Sequence, residues 1–473
     1  MLREEVVEDE VELAFDKTGH ILALNADIWV DVGAYSTYLW SAGMEPLQTG
    51  GLMPGPYKVP AMRYCTRGVA TNKTPVGTYR GPGRFEADFF RERLLDLVAQ
   101  DLGIDRVEFR RKNLISLSEM PYPIATITPY EHKDEYDSGD YQQTLDRCLK
   151  EIRWAEKAKL QGQLIDGRYH GLAVGCFIEG GAAGPKETAR LEINDDGSIS
   201  VYMGSSAVGQ GVETVFAQIA ADALEIPMDR IRWVYHGSTA YVSDGYGAYH
   251  SRSIVMGGSA LLDAANNFKA ALFEEAAKRL GCAASDIALG EDKVSGPGGT
   301  SLPLSDFAGL TKEGTFLNKK HTYSYGAQAA HVAVDAKIGH VELIDYVVVQ
   351  DAGRIINPLT LRGQVIGSLV QGLGGAFLEH LVYDEQGQLL TGSLADYLLP
   401  TASDFPNLRA FVMDEHPSPI NPLGAKGAGE GGMVGAGGVI ANAVANALQS
   451  FKPDLRELPL TPARVWAMTR NKS

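Results

Sequence analysis

The chain has 473 residues, 45% of them hydrophobic, and its 59 acidic and 43 basic side chains give a formal net charge of −16. This length and apolar content predict a globular protein of two or more domains. The acidic balance argues against a nucleic-acid or anionic-membrane partner, since such partners require clustered Lys and Arg. No apolar run reaches the roughly 18 residues of a membrane span, and the start MLREEVVEDE is charged where a signal peptide is apolar. We therefore expect a cytoplasmic protein.

Four segments alternate apolar and polar residues around a turn containing glycine and an acidic residue, a pattern typical of β-hairpins. In chain order they are residues 11–24, 189–203, 331–344 and 381–390.

Helical patterns lie between the hairpins, and several have a recognisable start or stop residue. They cover residues 85–102 before Gly103, a segment opening at Asp105 as N-cap, and residues 212–224, 259–280, 361–380 and 435–448. Hairpins mixed with helices predict an α+β fold with mixed sheets rather than the strict alternation of a doubly wound fold. A polar segment, residues 130–141, separates two blocks of elements, so we place a domain boundary at about residue 160.

The four cysteines, Cys65, Cys148, Cys176 and Cys282, contain no C-x-x-C pair. Local spacing therefore supports neither a zinc site, a disulfide framework nor an iron–sulfur cluster, and buried free thiols are the expected state.

Glycine makes up 53 residues and is concentrated in five loops: residues 77–84 (GTYRGPGR), 204–211 (GSSAVGQG), 245–253, 353–374 and 424–438. Some of these loops run directly into a predicted helix, where unpaired backbone N–H groups favour an anion such as a phosphate. Each loop alone fits a tight turn equally well. None matches the Rossmann fingerprint or the Walker A loop.

Glu430 lies between glycines on both sides in the segment AKGAGEGGMVGAGG. We expect a bare carboxylate, kept ionised by the following helix N-terminus and by Lys426, as a general base requires. The alternative is that Glu430 only caps that helix.

Several unrelated motifs occur in a fixed order: TYRGPGR, GSSAVGQGVETVFAQIAAD, SRSIVMGGSA, DAGRIINPLTLRGQVIGSLVQGLGGAFLE and AKGAGEGG. Together they strongly resemble the molybdenum-binding large subunit of the xanthine dehydrogenase/aldehyde oxidase family of molybdenum hydroxylases. The resemblance covers essentially the whole chain and corresponds to the C-terminal two-thirds of that subunit. It implies that residues 1–160 are the C-terminal part of a first molybdopterin-binding domain and residues 161–473 a second one.

The resemblance also implies an enzyme, with a molybdopterin cofactor, in bacteria commonly the cytosine dinucleotide form. Its dithiolene holds the molybdenum, so the protein need not supply a metal ligand. The implied reaction is oxidative hydroxylation of an aldehyde or an aromatic N-heterocycle with water as the oxygen source, and Glu430 matches the general base. Gly429 and Gly431 flank that base.

Two glutamine motifs resemble cofactor contacts of the family. Gln210, between Gly209 and Gly211, matches a residue that hydrogen-bonds a molybdenum oxo ligand, with helix capping as the alternative. Gln364 matches a pterin contact, and Gln371 is a second candidate that could equally be a buried structural amide.

Two further loops resemble family segments beside the cofactor and the substrate. Ser251, Arg252 and Ser253 lie in a loop that approaches the cofactor, where Arg252 is the expected phosphate partner. Arg80 and Pro82 lie in the loop that flanks substrate and molybdenum, with a salt bridge as the alternative for Arg80. A carbon monoxide dehydrogenase would carry a cysteine in that loop, so TYRGPGR disfavours carbon monoxide as substrate.

Tyr38 and Trp40 either line the substrate funnel or are core aromatics.

The family's upstream G-G-x-F-G loop is not found in this sequence. We therefore expect a split or incomplete subunit, with a possible partner chain supplying the missing part, and iron–sulfur (2Fe-2S) and FAD centres on partner subunits. The alternative is a non-catalytic or truncated subunit.

Overall fold

The computed structural model of the chain describes residues 7–37, 41–124, 134–182, 184–239, 241–245, 247–318 and 320–470. The β-strands, in chain order, are β1 Val7–Phe15, β2 Ile21–Gly33, β3 Ala61–Ala70, β4 Tyr122–Pro123, β5 Glu135–Tyr136, β6 Leu164–Ile165, β7 Arg168–Gly181, β8 Lys186–Ile193, β9 Ile199–Met203, β10 Ile231–His236, β11 Ala288–Leu289, β12 Lys293–Ser295, β13 Ser301–Pro303, β14 Thr311–Leu317, β15 Thr322–Asp335, β16 His340–Asp351 and β17 Leu408–Met413.

The α-helices, in chain order, are α1 Ser41–Gly51, α2 Arg84–Leu102, α3 Arg106–Asn113, α4 Tyr141–Ile152, α5 Trp154–Lys157, α6 Val212–Leu224, α7 Ser259–Leu280, α8 Pro358–Phe377, α9 Gly431–Val434, α10 Ala436–Ala447 and α11 Pro462–Met468. A π-helical turn, Ser253–Gly258, precedes α7. None of the helices in the described ranges combines the length and the apolarity that a bilayer span needs.

Mixed sheets organise the strands, as the sequence predicts. Strands β1-β2-β3 form one sheet, β10-β9-β8-β14 a second and β17-β16-β15-β7-β6 a third, with smaller sheets β11-β12-β13 and β4-β5. The pairs β2/β3, β9/β10 and β16/β17 are parallel, whereas β7/β15 and β15/β16 are antiparallel. This arrangement of helices and mixed sheets confirms the predicted α+β class.

Three of the four predicted hairpins are antiparallel strand pairs: β1/β2, β8/β9 and β15/β16. The fourth, residues 381–390, reverses direction at one antiparallel bridge, between Tyr383 and Leu389, where the Leu390 amide donates to the Val382 carbonyl and the Asp384 amide to the Gln388 carbonyl. The Thr391 hydroxyl accepts from the Val382 amide, so that amide is not available to extend a backbone ladder. The predicted hairpin is therefore present but short.

The third sheet is packed on both faces. On one face Leu369 of α8 and Val439 of α10 join Phe177 and Val332 in a single apolar cluster. On the other face Leu145 of α4 packs with Val174, Ile178, Tyr325 and Val349. Helix α2 contributes to both clusters through Phe89 and Leu95. Both clusters draw on residues from either side of residue 160, and the division at that position stays a prediction.

The predicted helix limits agree with the structure to within a few residues. Asp105 caps α3 by accepting from the Val107 and Glu108 amides, and Gly103 ends α2 in the left-handed conformation. Among the cysteines, Cys148 and Cys176 are buried free thiols as expected, whereas Cys65 is exposed and Cys282 is half-buried.

Candidate active site

A cavity of about 1420 Å³ lies where the loops leading into α2, α6, α8 and α9 meet the loop before the π-helical turn. Small-molecule pockets usually enclose about 300–1,000 Å³, so this one has room for a large ligand together with a smaller one. The residues that the sequence singles out and that line it are Arg80, Pro82, Gly209, Gln210, Ser251, Arg252, Ser253, Gln364, Gly429 and Glu430. The structure thus brings together segments from both ends of the chain.

The remaining candidates lie beside the cavity wall or outside the described residues. Gly211 is the N-cap of α6, next to the lining residue Val212. Gln371 reaches the site through Arg80. A Cβ on Gly431 would stand 2.5 Å from Gln350 Nε2, so that glycine permits close packing. Tyr38 and Trp40 lie outside the described residues.

The Glu430 carboxylate is buried and held by three hydrogen bonds. Its Oε1 accepts from the Gly81 amide and from Arg84 Nη2, both at 3.0 Å. Its Oε2 accepts from the Ser251 hydroxyl at 2.8 Å. The expectation of a bare carboxylate is therefore wrong, because loops distant in sequence fold over Glu430. Although Glu430 occupies the N-cap position of α9, its side chain makes no capping hydrogen bond.

Burial favours the neutral acid, yet the pKa of Glu430 is lowered to about 2. The opposing causes are chiefly the positive charge of Arg84, and also contact with Glu179 and the Gly81 amide. Lys426, which the sequence suggested for this role, instead lies 3.3 Å from Asp351 Oδ1. The ionised state is as expected, but Arg84 rather than Lys426 supplies the charge.

Arg80 joins three parts of the site through its guanidinium. Its Nε donates to the Gly429 carbonyl at 2.7 Å, Nη1 to Gln371 Oε1 at 2.8 Å and Nη2 to Gln364 Oε1 at 2.8 Å. These partners are neutral oxygens, so the alternative of a salt bridge for Arg80 does not describe these contacts. The amide oxygens of both glutamines are thereby fixed, which turns their amide nitrogens away from Arg80 and leaves them as the donors of each side chain.

The loop before the π-helical turn carries local backbone strain. His250 and Ser251 both have positive φ, 50° and 48°, which is uncommon outside glycine. Strained conformations of this kind persist where the surrounding structure fixes them, and they cluster at functional sites. Here the strain directs the Ser251 hydroxyl at Glu430.

Arg252 and Gln210 line the cavity but already have protein partners. Arg252 Nη1 lies 2.6 Å from Glu187 Oε2, and its guanidinium also donates to the Gly247 and Lys186 carbonyls. Gln210 Oε1 accepts from the Val208 amide at 2.6 Å, so the side chain orders its own loop instead of capping α6. Their predicted cofactor contacts remain predictions.

Several features of the cavity suit an anionic ligand. Helix α6 begins at the cavity behind Gly211, whose φ is 77° and which provides no side-chain cap. Uncapped N-terminal amides with a positive helix dipole favour phosphate groups. The cavity wall also carries the exposed Arg354 and the buried Lys426. A Cβ on Gly427 would stand 2.3 Å from the Ser251 carbonyl oxygen, so only glycine permits this close approach of two wall segments.

Sequence reasoning missed two residues of the Glu430 surroundings. Arg84 belongs to the motif TYRGPGR but was not singled out, although it is the cation nearest Glu430. Glu179 lies at the end of β7 and contacts Arg84 Nε at 3.1 Å through Oε2. An acid inside the apolar strand sequence AVGCFIEGG was the signal that could have identified it.

Within the described residues, no group of three or more His, Cys, Asp or Glu side chains is arranged to hold a metal ion.

The model of the molybdopterin cofactor-binding domain family matches residues 147–406, more than half of the chain, and a second model with that description matches residues 4–114. The chain belongs to the molybdopterin cofactor-binding family. Its resemblance to the molybdenum-binding large subunits of the xanthine dehydrogenase/aldehyde oxidase family is thereby confirmed.

Individual relatives agree with this assignment. The chain is 36% identical to the 6-hydroxypseudooxynicotine dehydrogenase complex subunit gamma of Paenarthrobacter nicotinovorans, over 97% of this chain and 59% of that protein. It is 31% identical to the carbon monoxide dehydrogenase large chain of Hydrogenophaga pseudoflava, over 96% of this chain and 60% of that protein. The crystal structure of quinoline 2-oxidoreductase from Pseudomonas putida 86 superposes with a TM-score of 0.90 at 30% identity, covering 99% of this chain and 62% of that one. The chain thus spans about 60% of the length of these relatives.

Proposed function

We propose that this chain contributes the catalytic residue and part of the active-site cavity of a molybdenum hydroxylase. In this oxidoreductase Glu430 is the general base. The buried, ionised Glu430 carboxylate at the wall of a large cavity carries this proposal. Membership of the molybdopterin cofactor-binding family supports it.

The residues present fit a molybdopterin cofactor. The uncapped N-terminus of α6 and Arg354 suit its phosphates, and Gln364, fixed by Arg80, offers an amide donor for a polar ring edge. When bound, the cofactor supplies the two-electron redox chemistry. The cytosine dinucleotide form, expected from the family, is part of this proposal.

Glu430 is prepared to accept a proton on one side of its carboxylate. Oε1 is occupied by the Gly81 amide and Arg84, whereas Oε2 accepts only from Ser251 in the described contacts. An oxygen with spare lone-pair capacity is the one that takes a proton. We therefore assign proton abstraction to Oε2.

The substrate we propose is an aldehyde or an aromatic N-heterocycle. The loop from Thr78 to Arg84 contains no cysteine, and Pro82 presents an apolar surface to the cavity. Two similar proteins are named for nicotine and quinoline, which are both aromatic N-heterocycles.

The electrons need an exit route, and we propose partner subunits that carry 2Fe-2S and FAD centres. The name of one relative describes it as a subunit of a dehydrogenase complex. The predicted cytoplasmic location belongs to the same proposal.

The test compares Glu430→Gln with Glu385→Gln, an exposed control, in the complex purified from its own host. General-base catalysis contributes about 10²–10⁴-fold to rate, so E430Q is expected to lose turnover of that order on a panel of aldehydes and N-heterocycles. Molybdenum per chain, measured by elemental mass spectrometry, should equal that of E385Q. Full turnover in E430Q, or wild-type complex without molybdenum, would refute the proposal.

A further inference from the structure

Arg84 stands between two carboxyl groups in the protein interior. Its Nη2 donates to Glu430 Oε1 at 3.0 Å, and its Nε lies 3.1 Å from Glu179 Oε2. The two carboxyl groups also contact each other within hydrogen-bonding reach. Arg84 and Glu179 are fully buried, and Glu430 is 8% exposed.

This arrangement places two buried carboxyl groups on one guanidinium. Two buried carboxylates in contact repel each other, and one adjacent guanidinium balances only one of them. Arg80, the next cation, hydrogen-bonds two glutamine oxygens and a backbone carbonyl, which are neutral, so its charge also acts on the pair, without a direct contact to Glu179. One proton shared within the pair removes the repulsion between the two carboxylates.

The hydrogen-bond donors decide which acid carries that proton. Glu430 receives three hydrogen bonds, from Gly81, Arg84 and Ser251. Neither oxygen of Glu179 accepts a geometrically sound hydrogen bond from the described residues. A carboxylate surrounded by donors is stabilised in its charged form, and a buried one without them is not. The proton therefore belongs on Glu179.

We propose that Glu179 is a neutral, protonated positioning residue that donates a hydrogen bond to the Glu430 carboxylate and, with Arg84, holds it ionised and oriented. This inference rests on the proposed role of Glu430 as the base. Glu179, near the end of β7, would thus take part in the reaction although it does not line the cavity.

The electrostatics of the surrounding groups agree with this assignment. Burial raises the pKa of Glu179 well above its ordinary value, against the opposing pull of Arg84 and Arg80. The pKa of Glu430 is lowered to about 2. His250, which faces the same cluster, has its pKa lowered well below the ordinary value by burial and by neighbouring cations and so stays neutral.

The proposal makes Gln a faithful replacement at position 179, because a glutamine amide donates one hydrogen bond and accepts another as a protonated carboxyl does. In the holo complex, E179Q should keep kcat within about threefold, whereas E179A should move the acid limb of the kcat/KM profile to higher pH. An ionised Glu179 would instead make E179Q impaired as E179A is, since both substitutions remove its negative charge.

A readout independent of turnover is the infrared difference spectrum of wild-type minus E179Q complex. The proposal expects loss of a protonated-carboxyl C=O band that shifts in D2O, with no such band in wild type minus E385Q. Loss of carboxylate bands instead, or failure of E179Q to fold, would overturn it. The spectrum needs no substrate, so it separates this inference from the proposed function, which fails independently if E430Q keeps full turnover.

Discussion

The Ser251 hydroxyl donates to Glu430 Oε2 at 2.8 Å from a residue held at a φ of 48°. The preceding residue, His250, has a φ of 50°. The left-handed region costs an L-residue roughly 1–2 kcal/mol, and the fold bears that cost at two consecutive positions beside Glu430. The strain thus supports the orientation of a single hydroxyl.

Replacing Ser251 by Ala is expected to raise the pKa of Glu430, because a hydrogen bond to a charged group contributes about 1.5–3 kcal/mol. That corresponds to about one or two pKa units. Since the base works as the carboxylate, the acid limb of the kcat/KM profile should move to higher pH by that amount. Ser251→Gly relieves the backbone strain but also lacks the hydroxyl, so it should show the same shift. A shift in S251A alone would assign the effect to the backbone.

Arg80→Lys is expected to loosen cofactor binding. A lysine ammonium cannot reproduce the planar fork that holds Gln364, Gln371 and the Gly429 carbonyl together. Two lost hydrogen bonds of about 1 kcal/mol each weaken retention by more than tenfold. The measurement is molybdenum per chain after prolonged dialysis, with the exposed Arg456→Lys as control. Equal retention in the two variants would show that this fork does not hold the cofactor wall.

Two neighbouring glycines provide a matched comparison of steric tolerance. A Cβ at Gly427 would stand 2.3 Å from the Ser251 carbonyl oxygen, whereas a Cβ at Gly429 would meet nothing closer than the Ser251 hydroxyl at 3.3 Å. Gly427→Ala should therefore displace the loop and cost about 1–3 kcal/mol of stability, as overpacking usually does, and it should also lower the molybdenum content. Gly429→Ala should be nearly silent in both thermal unfolding and metal analysis. Equal effects of the two substitutions would contradict the packing described above.

The contact between the half-buried His170 and the buried His331 predicts an acid-sensitive stability. Burial, Lys157 and His170 lower the pKa of His331 to about 4 against an opposing pull from Asp345, and Nδ1 of His170 lies 2.9 Å from Nε2 of His331. Because the unfolded chain binds the proton first, this contribution to stability is complete above pH 6.5 and is lost as the pH falls toward 4. The loss amounts to about 3 kcal/mol.

His331→Gln should flatten the pH dependence in that window, and the exposed His340→Gln should not. Thermal unfolding of the purified protein at pH 7.5 and pH 5 measures the difference. Parallel pH profiles for H331Q and wild type would assign the acid sensitivity to other groups.

Local sequence signals identified most of the elements and much of the cavity wall. The helix ending at Gly103 and the N-cap Asp105 were readable because caps and periodicity act over a few residues. Glycine loops such as residues 204–211 were readable for the same reason. The length of strand pairing at residues 381–390 was overestimated. The alternation of apolar and polar residues does not reveal that the Val382 amide donates to the Thr391 hydroxyl.

The charges around Glu430 could not be read in the same way. Lys426 is close in sequence, but the fold turns it toward Asp351. Arg84 is 346 positions away and becomes the closest cation only when α2 packs beside α9. Glu179, near the end of β7, contacts Arg84, and no local sequence pattern encodes this contact.

The hydrogen bond from Arg80 to the Gly429 carbonyl spans 349 positions of the chain. During synthesis the first half of the cavity wall therefore leaves the ribosome long before the segment that carries the base. Contacts of such long range form late in folding, because the loop they close is costly in entropy. A nascent chain that has not yet reached Gly429 lacks part of the cavity wall, so loading of a prosthetic group has to follow translation of that segment.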